Sequence, residues 1–307
     1  MNTHHIPSWE TELKELADGV FAYTQATGAF CIANAGYVVA DGGGIAVDAL
    51  FSPPMTRQFQ ACLDNAGAGP VTKLINTHHH VDHTLGNFMF EGATIIAQAR
   101  AREMIVANGF PRERLIGMAP WFDKDLQGDI RVCPPDVTFE RTLTLFAGNR
   151  KIELTHVGTA HTVGDILVHL PEQKILFAGD VCFFYVTPLA FEGNIAGWIR
   201  ALSALEDMDD VDVIVPGHGP VGTKEQAREV RSYFEVITRE AQRRFEAGMD
   251  EDEAARDIAI GPYAAWGEAE RLLPNVHRLY AQFRGDPEGP IDVARAFAGM
   301  AELSVRQ

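Results

Sequence analysis

His78-His79-His80-Val81-Asp82-His83, read as H-x-H-x-D-H, sets three spaced imidazoles and a carboxylate within six residues. Imidazole nitrogen and carboxylate oxygen are the ligands that suit zinc and its neighbours in the transition series. The run before it, Val71-Thr72-Lys73-Leu74-Ile75-Asn76-Thr77, reads as a buried strand with a polar exit. The run after it, Thr84-Leu85-Gly86-Asn87-Phe88-Met89-Phe90, reads as a short helix. The cluster therefore falls on a strand-to-helix turn, where α/β proteins place their sites.

Three later segments repeat this grammar. Gly158-Thr159-Ala160-His161-Thr162-Val163-Gly164-Asp165 is a glycine-flanked turn between strand-like runs. Ile175-Leu176-Phe177-Ala178-Gly179-Asp180 is an apolar strand that stops on a carboxylate, and Val213-Ile214-Val215-Pro216-Gly217-His218-Gly219 is one that stops on an imidazole. Glycine beside each potential ligand lets the backbone turn sharply and come close to an ion. Four loops converging on one point would build a site that no single segment can make.

In this order, H-x-H-x-D-H, G-x-x-H-T, G-D and P-G-H-G resemble the metallo-β-lactamase superfamily over roughly residues 20–222, about two-thirds of the chain. The resemblance implies an α/β fold, a four-layer αββα sandwich with metals in a groove at one edge of the sheets. Carried over by position, it implies that His78, His80 and His161 hold one metal, that Asp82, His83 and His218 hold a second, and that Asp180 bridges them. An aspartate at 180, where many true β-lactamases carry cysteine or serine, resembles the glyoxalase II and lactonase branch. His79 reads as pointing away from its neighbours, in a supporting or structural role. His156 reads as structural and His169 as a strand residue, while His4, His5 and His277 carry no signal.

The chemistry expected from such a ligand set is metal-assisted hydrolysis without a covalent enzyme intermediate. Two divalent ions about 3.5–4 Å apart can share a water as hydroxide, and zinc lowers the pKa of bound water to about 7. One ion would polarise the substrate carbonyl and the other would stabilise the leaving oxygen or sulfur. Zinc is the expected metal, and manganese, iron and cobalt suit the same ligands. Asp82 is a candidate to orient the nucleophile or shuttle a proton. No G-x-S-x-G elbow is present. Expected substrates are a carboxylic ester, lactone or thioester, and the alternatives are a β-lactam or an iron-dependent reaction with oxygen.

Substrate-facing residues are less sharply marked. The aromatic stretch 181–191 either lines an apolar pocket or simply caps the sheet. Within it, the resemblance to lactonases offers Tyr185 as a hydrogen-bond donor to a substrate carbonyl or leaving oxygen. Residues 109–135, with Pro111, Pro120, Trp121, Phe122, Pro134 and Pro135, read as a structured lid whose Trp121 and Phe122 could cover the pocket mouth. The turn Thr27-Gly28-Ala29-Phe30 sits where the superfamily often contacts substrate.

The 307 residues, 46% hydrophobic and 22% charged, suffice for a large core. No linker or break in composition divides them, so one domain over 1–307 is expected. Strand-like runs at 20–25, 31–40 and 44–49 open the chain as a meander, with Asp41-Gly42-Gly43-Gly44 as a hairpin signal. Helical patterning takes over at 223–245, 250–258 and 268–283, and 285–307 reads as a peripheral tail or short final helix. This C-terminal helical extension could complete an outer layer, form a homodimer contact or narrow the pocket.

A net charge of −16, from 26 basic and 42 acidic residues, argues against a nucleic-acid substrate. It leaves a small molecule with a carbonyl group as the expected partner. The four cysteines, Cys31, Cys62, Cys133 and Cys182, are widely spaced without a C-x-x-C, and free thiols are expected. The first fifteen residues lack a secretory pattern and no run is long enough to span a membrane, so a cytoplasmic enzyme is expected.

Overall fold

The computed structural model describes residues 6–304; His4, His5 and part of the segment read for a leader lie outside them. Among the described residues, twelve strands form two sheets. The first sheet takes β1 (Glu12–Ala17), β2 (Val20–Thr24), β3 (Ala35–Ala40), β4 (Gly43–Val47), β5 (Val71–Ile75), β6 (Thr94–Gln98) and β7 (Val137–Phe139) in spatial order. It is antiparallel from β1 to β4 and parallel from β4 to β7. The second contains β8 (Thr142–Ala147), β9 (Arg150–His156), β10 (Ile166–Leu170), β11 (Ile175–Phe183) and β12 (Val213–His218), also in order. Only its last pair, β11 and β12, is parallel.

Alternating side chains explain the layers. Along β5 and β6, Ile75 and Ile96 face the second sheet, where Leu154, Val168, Phe177 and Val215 meet them. Their neighbours Leu74 and Ile95 face outward, beneath Phe59 and Leu63 of helix α1 (Pro53–Asn65). A strand turns successive side chains to opposite faces, so a run buried throughout requires cover on both sides. Gly36 on β3 makes room between the sheets, because a methyl there would lie 2.2 Å from the Phe177 ring. Removing the ring itself would cost about 3–5 kcal/mol.

Eight further helices follow: α2 (Val81–Thr84), α3 (Ala99–Asn108), α4 (Arg112–Met118), α5 (Ile195–Glu206), α6 (Lys224–Glu246), α7 (Glu251–Asp257), α8 (Leu272–Phe283) and α9 (Val293–Ser304). Trp198 of α5, Phe234 of α6 and Leu273 of α8 cover the outer face of the second sheet through Leu176 and Ala178. Helices, two sheets and helices make the αββα sandwich. The 3-10 turn Leu85–Met89 takes most of the segment read as a short helix after the histidines.

Two boundaries differ from the reading of the sequence. Residues 31–34 do not extend β3, because Cys31 adopts a left-handed backbone (φ 62°) that ends the strand pattern. The edge strand β1 escaped notice because its Glu-Leu-Lys-Glu-Leu-Ala has no period-two alternation and buries no residue fully. At the other end, the second of the two readings of 285–307 holds: a final helix, α9, packs Ala296 and Met300 against the α-helical layer.

Candidate metal centre

All seven candidate ligands named from the sequence converge at one edge of the sandwich. His78, His80, His161 and Asp180 form one group and Asp82, His83 and His218 another, each with its ligand atoms within 4.8 Å of one another. Asp180 joins the two. Its Oδ2 lies 3.2 Å from His161 Nε2 and 3.5 Å from His218 Nε2, while Oδ1 lies 3.1 Å from His83 Nε2. The parallel pairing of β11 with β12 delivers Asp180 and His218 to the same place. Gly217 is required there, since a methyl on it would stand 1.8 Å from Asp180 Oδ1.

Four of the five imidazoles are oriented through their far nitrogen, whereas the far Nδ1 of His161 has no hydrogen-bond partner. Asp48, just past β4, accepts hydrogen bonds from His83 Nδ1 (2.8 Å) and from the hydroxyl and backbone N–H of Thr77 (2.7 and 2.8 Å). The Thr77 oxygen in turn sits 3.1 Å from His78 Nδ1 and accepts from it. His218 Nδ1 donates to the Gly28 carbonyl at 3.0 Å. His80 is held the other way round, with Nε2 on the Glu192 carboxylate and Nδ1 turned inward. Glu192 also takes His79 Nε2 at 3.0 Å. Such outer partners fix both the tautomer and the ring plane of a ligating histidine.

The inward atoms are electron-rich and face one another. His78 Nε2, His83 Nε2 and Asp180 Oδ1 are buried without a hydrogen-bond partner. His80 Nδ1 and His161 Nε2 stand 2.8 Å apart. Buried acceptors without donors are costly. A cation placed among these lone pairs relieves that cost, and nitrogen with carboxylate oxygen is the donor set that holds zinc-like divalent ions. Electrostatics of the protein alone show the same tension. Burial and neighbouring imidazoles hold His78 well below the usual histidine range, and burial pushes His161 down to about 3. For His83, burial is outweighed by the Asp180, Asp48 and Asp82 carboxylates, which push it well up. Burial raises Asp82, but the His83 and His218 imidazoles overcome it and hold it at about 2.

The clusters form the floor of a cavity of about 430 Å³. Its walls come from the Phe30 turn, from α3, α4 and α9, and from Leu189 and Phe191. Tyr185 is not brought to this site. With φ 60° its backbone turns away from β11, and its hydroxyl accepts from Gln226 Nε2 on α6 at 3.3 Å. The 109–135 insertion does reach the cavity, through Pro111, Arg114, Leu115 and Met118. Trp121 and Phe122 do not serve as its cover. Phe122 is buried against Phe51 (4.8 Å between ring centroids), and Trp121 is 68% exposed outside the lining. His79 does not point away from its neighbours: it is buried beside His80, 4.8 Å between ring centroids, and shares the Glu192 carboxylate with it. His156 bonds the Asp165 carbonyl, and His169 on β10 bonds that of Asp210. His277, which carried no signal, pairs with Asp252 at 2.7 Å.

Asp48 and Glu192 are the residues that sequence reasoning missed. Asp48 ends the apolar run Ile45-Ala46-Val47 in the same way as Asp180 ends its own, and that parallel was available. Glu192 offered no comparable signal, because its partners lie 112 and 113 positions upstream.

Comparison with known proteins agrees with this architecture. The sequence profile of the metallo-beta-lactamase superfamily matches residues 28–218, and the chain belongs to that superfamily. A hydroxyacylglutathione hydrolase of Maricaulis maris is 28% identical over 231 residues, covering 75% of this chain and 67% of that protein. A metallo-beta-lactamase type 2 of Bacillus cereus is 27% identical over 190 residues, covering 59% and 65%. The chain thus spans about two-thirds of the length of these relatives. Among solved structures, a stereoselective inverting sec-alkylsulfatase from Pseudomonas sp. shares the fold at a TM-score of 0.67 and 17% identity, covering 90% of this chain and 50% of that one. Among the described residues, no helix is long and apolar enough to cross a membrane.

Proposed function

We propose that the protein is a dinuclear metal-dependent hydrolase of a carboxylic ester, lactone or thioester. The observation that carries this reading is the placement of Asp180 between the clusters, with Oδ2 facing His161 of one and His218 of the other while Oδ1 faces His83. His78, His80 and His161 would hold one divalent ion, Asp82, His83 and His218 the other, and Asp180 both. When bound, such ions supply an acidified water and Lewis-acid polarisation of the carbonyl.

The chain's own residues do the rest. Asp180 offsets the repulsion between two positive charges. Asp82 stays ionised through neutral pH and lines the cavity, so it accepts a hydrogen bond from the attacking water and orients it. Asp48, Thr77, Gly28 and Glu192 hold the imidazoles so that their inward lone pairs need no rearrangement. A small-molecule substrate fits a cavity of this size, and a net charge of −16 argues against a polyanionic nucleic acid.

The test is a panel of thioesters, lactones, aryl esters and β-lactams, assayed with protein reconstituted with zinc, manganese, iron or cobalt. Turnover of acyl thioesters or esters, lost together with metal in His80→Ala, is the expected result. Preferential turnover of β-lactams would replace the substrate assignment. Full activity in His80→Ala would overturn the site.

A further inference from the structure

We propose that the substrate's acyl group is an uncharged aliphatic chain well beyond acetyl in length, seated in a cavity that α4 and α9 wall off above the metal-binding floor. This rests on the hydrolase reading and narrows it to a substrate class.

Three rings run outward from the floor. Phe191 stacks on His80 with centroids 5.0 Å apart and planes at 25°. Phe297 of α9 meets Phe191 edge-on at 6.3 Å and Phe30 at 5.8 Å. Leu115 and Met118 of α4 and Val293 of α9 extend the same lining. A carbonyl placed over the clusters therefore has its chain against apolar surface from the first carbon onward. The volume of about 430 Å³ lies in the range of small-ligand pockets and far exceeds the needs of an acetyl group.

At the buried walls, charge leaves an acidic tail no partner; the third lining arginine, Arg114 of α4, is solvent-exposed. Arg271 and Arg278 line the cavity but are 1% exposed and already engaged. Arg271 donates to the Thr187 carbonyl at 3.0 Å and pairs with Glu268 at 2.9 Å. Arg278 spends its terminal nitrogens on the carbonyls of Gly289 (2.6 Å) and Phe191 (2.7 Å). Each keeps only a buried Nε without a partner. The two arginines strap the loops that carry the wall and leave no fork for a carboxylate. Glu192 and Glu288 line the same space and repel one.

The experiment compares acyl thioesters of increasing length, with a succinyl thioester beside its uncharged pentanoyl counterpart, on the metal-loaded protein. A rise of about fourfold in kcat/KM per added methylene is expected until the cavity fills. Phe297→Trp, which narrows the cavity, should shift the optimum to shorter chains. Binding of octanamide, followed by calorimetry on wild type and Phe297→Ala, reads the cavity without turnover and should weaken at least tenfold in the variant. Equal rates for acetyl and octanoyl substrates, or preference for succinyl over pentanoyl, would overturn the acyl assignment while leaving the hydrolase reading intact. If nothing in the panel is hydrolysed, octanamide binding that depends on Phe297 still supports the cavity, and absence of that binding overturns it.

Discussion

Asp48 Oδ2 lies 2.8 Å from His83 Nδ1. Through Thr77 the same carboxylate also restrains His78, so one side chain orients an imidazole in each cluster. Asp48→Asn should therefore weaken both sites. A loss of about 10–100-fold in metal affinity is expected, measured by competition with a chromogenic chelator. Retention of wild-type affinity, with circular dichroism unchanged, would show that the imidazoles hold their places unaided.

Glu192 acts on only one cluster. Glu192→Gln leaves the size of the side chain but offers a single acceptor oxygen to His79 and His80. Substitution should lower occupancy of the His78–His80–His161 cluster and spare that of Asp82–His83–His218. Cobalt titration followed by visible absorption would separate the two. Equal loss at both would make Glu192 a general packing residue.

Acid should loosen the helical roof before it reaches the sheets. Asp252 joins α7 to α8 through His277 at 2.7 Å and to α9 through Arg295 at 2.5 Å. Partial burial raises its pKa, but Arg295 and His277 overcome this and hold it below the ordinary carboxylate range. Its folded pKa being depressed, the stability it contributes is present above about pH 4 and is lost as pH falls through the folded value. With Arg295 half in solvent, the contribution is about 1 kcal/mol. Asp252→Asn should lower Tm by about 2–4 °C at neutral pH and flatten the acid side of the stability profile. An unchanged profile would remove Asp252 from the account.

The thiols offer a check on packing. Cys31 and Cys182 are buried, and burial first pushes both thiols up, with Asp82 adding to it at Cys31 and Asp180 at Cys182. Cys62 and Cys133 are half-buried. Ellman's reagent should find four thiols in denaturant and no more than two rapidly in the native protein. Fast native labelling of Cys31 would mean that the floor opens in solution.

Much of this was legible because the ligand-bearing loops follow strands. The runs ending at Asp180 and His218 declare themselves by composition, and strand pairing then decides where they meet. The local spacing of His78, His80 and His83 is information of the same kind. Tyr185 could not be placed, because one left-handed residue after β11 redirects the side chain to α6. Phe122 read as a lid residue by its aromatic character, but Phe51, seventy-one positions earlier, claims it for a core. Glu192 depends on a contact across more than a hundred residues, which no local pattern encodes.

Strands β11 and β12 run side by side in the same direction and carry Asp180 and His218, two of the seven candidate chelating groups. An added residue inside 175–178 would rotate Asp180 into the packed interior. Exchange of 109–135 or of the segment beyond 285 leaves that pairing untouched. On the proposed function, catalytic competence and substrate choice are thus encoded in separable stretches of chain. Evolution, or a designer, can restyle the entrance without re-machining the hearth.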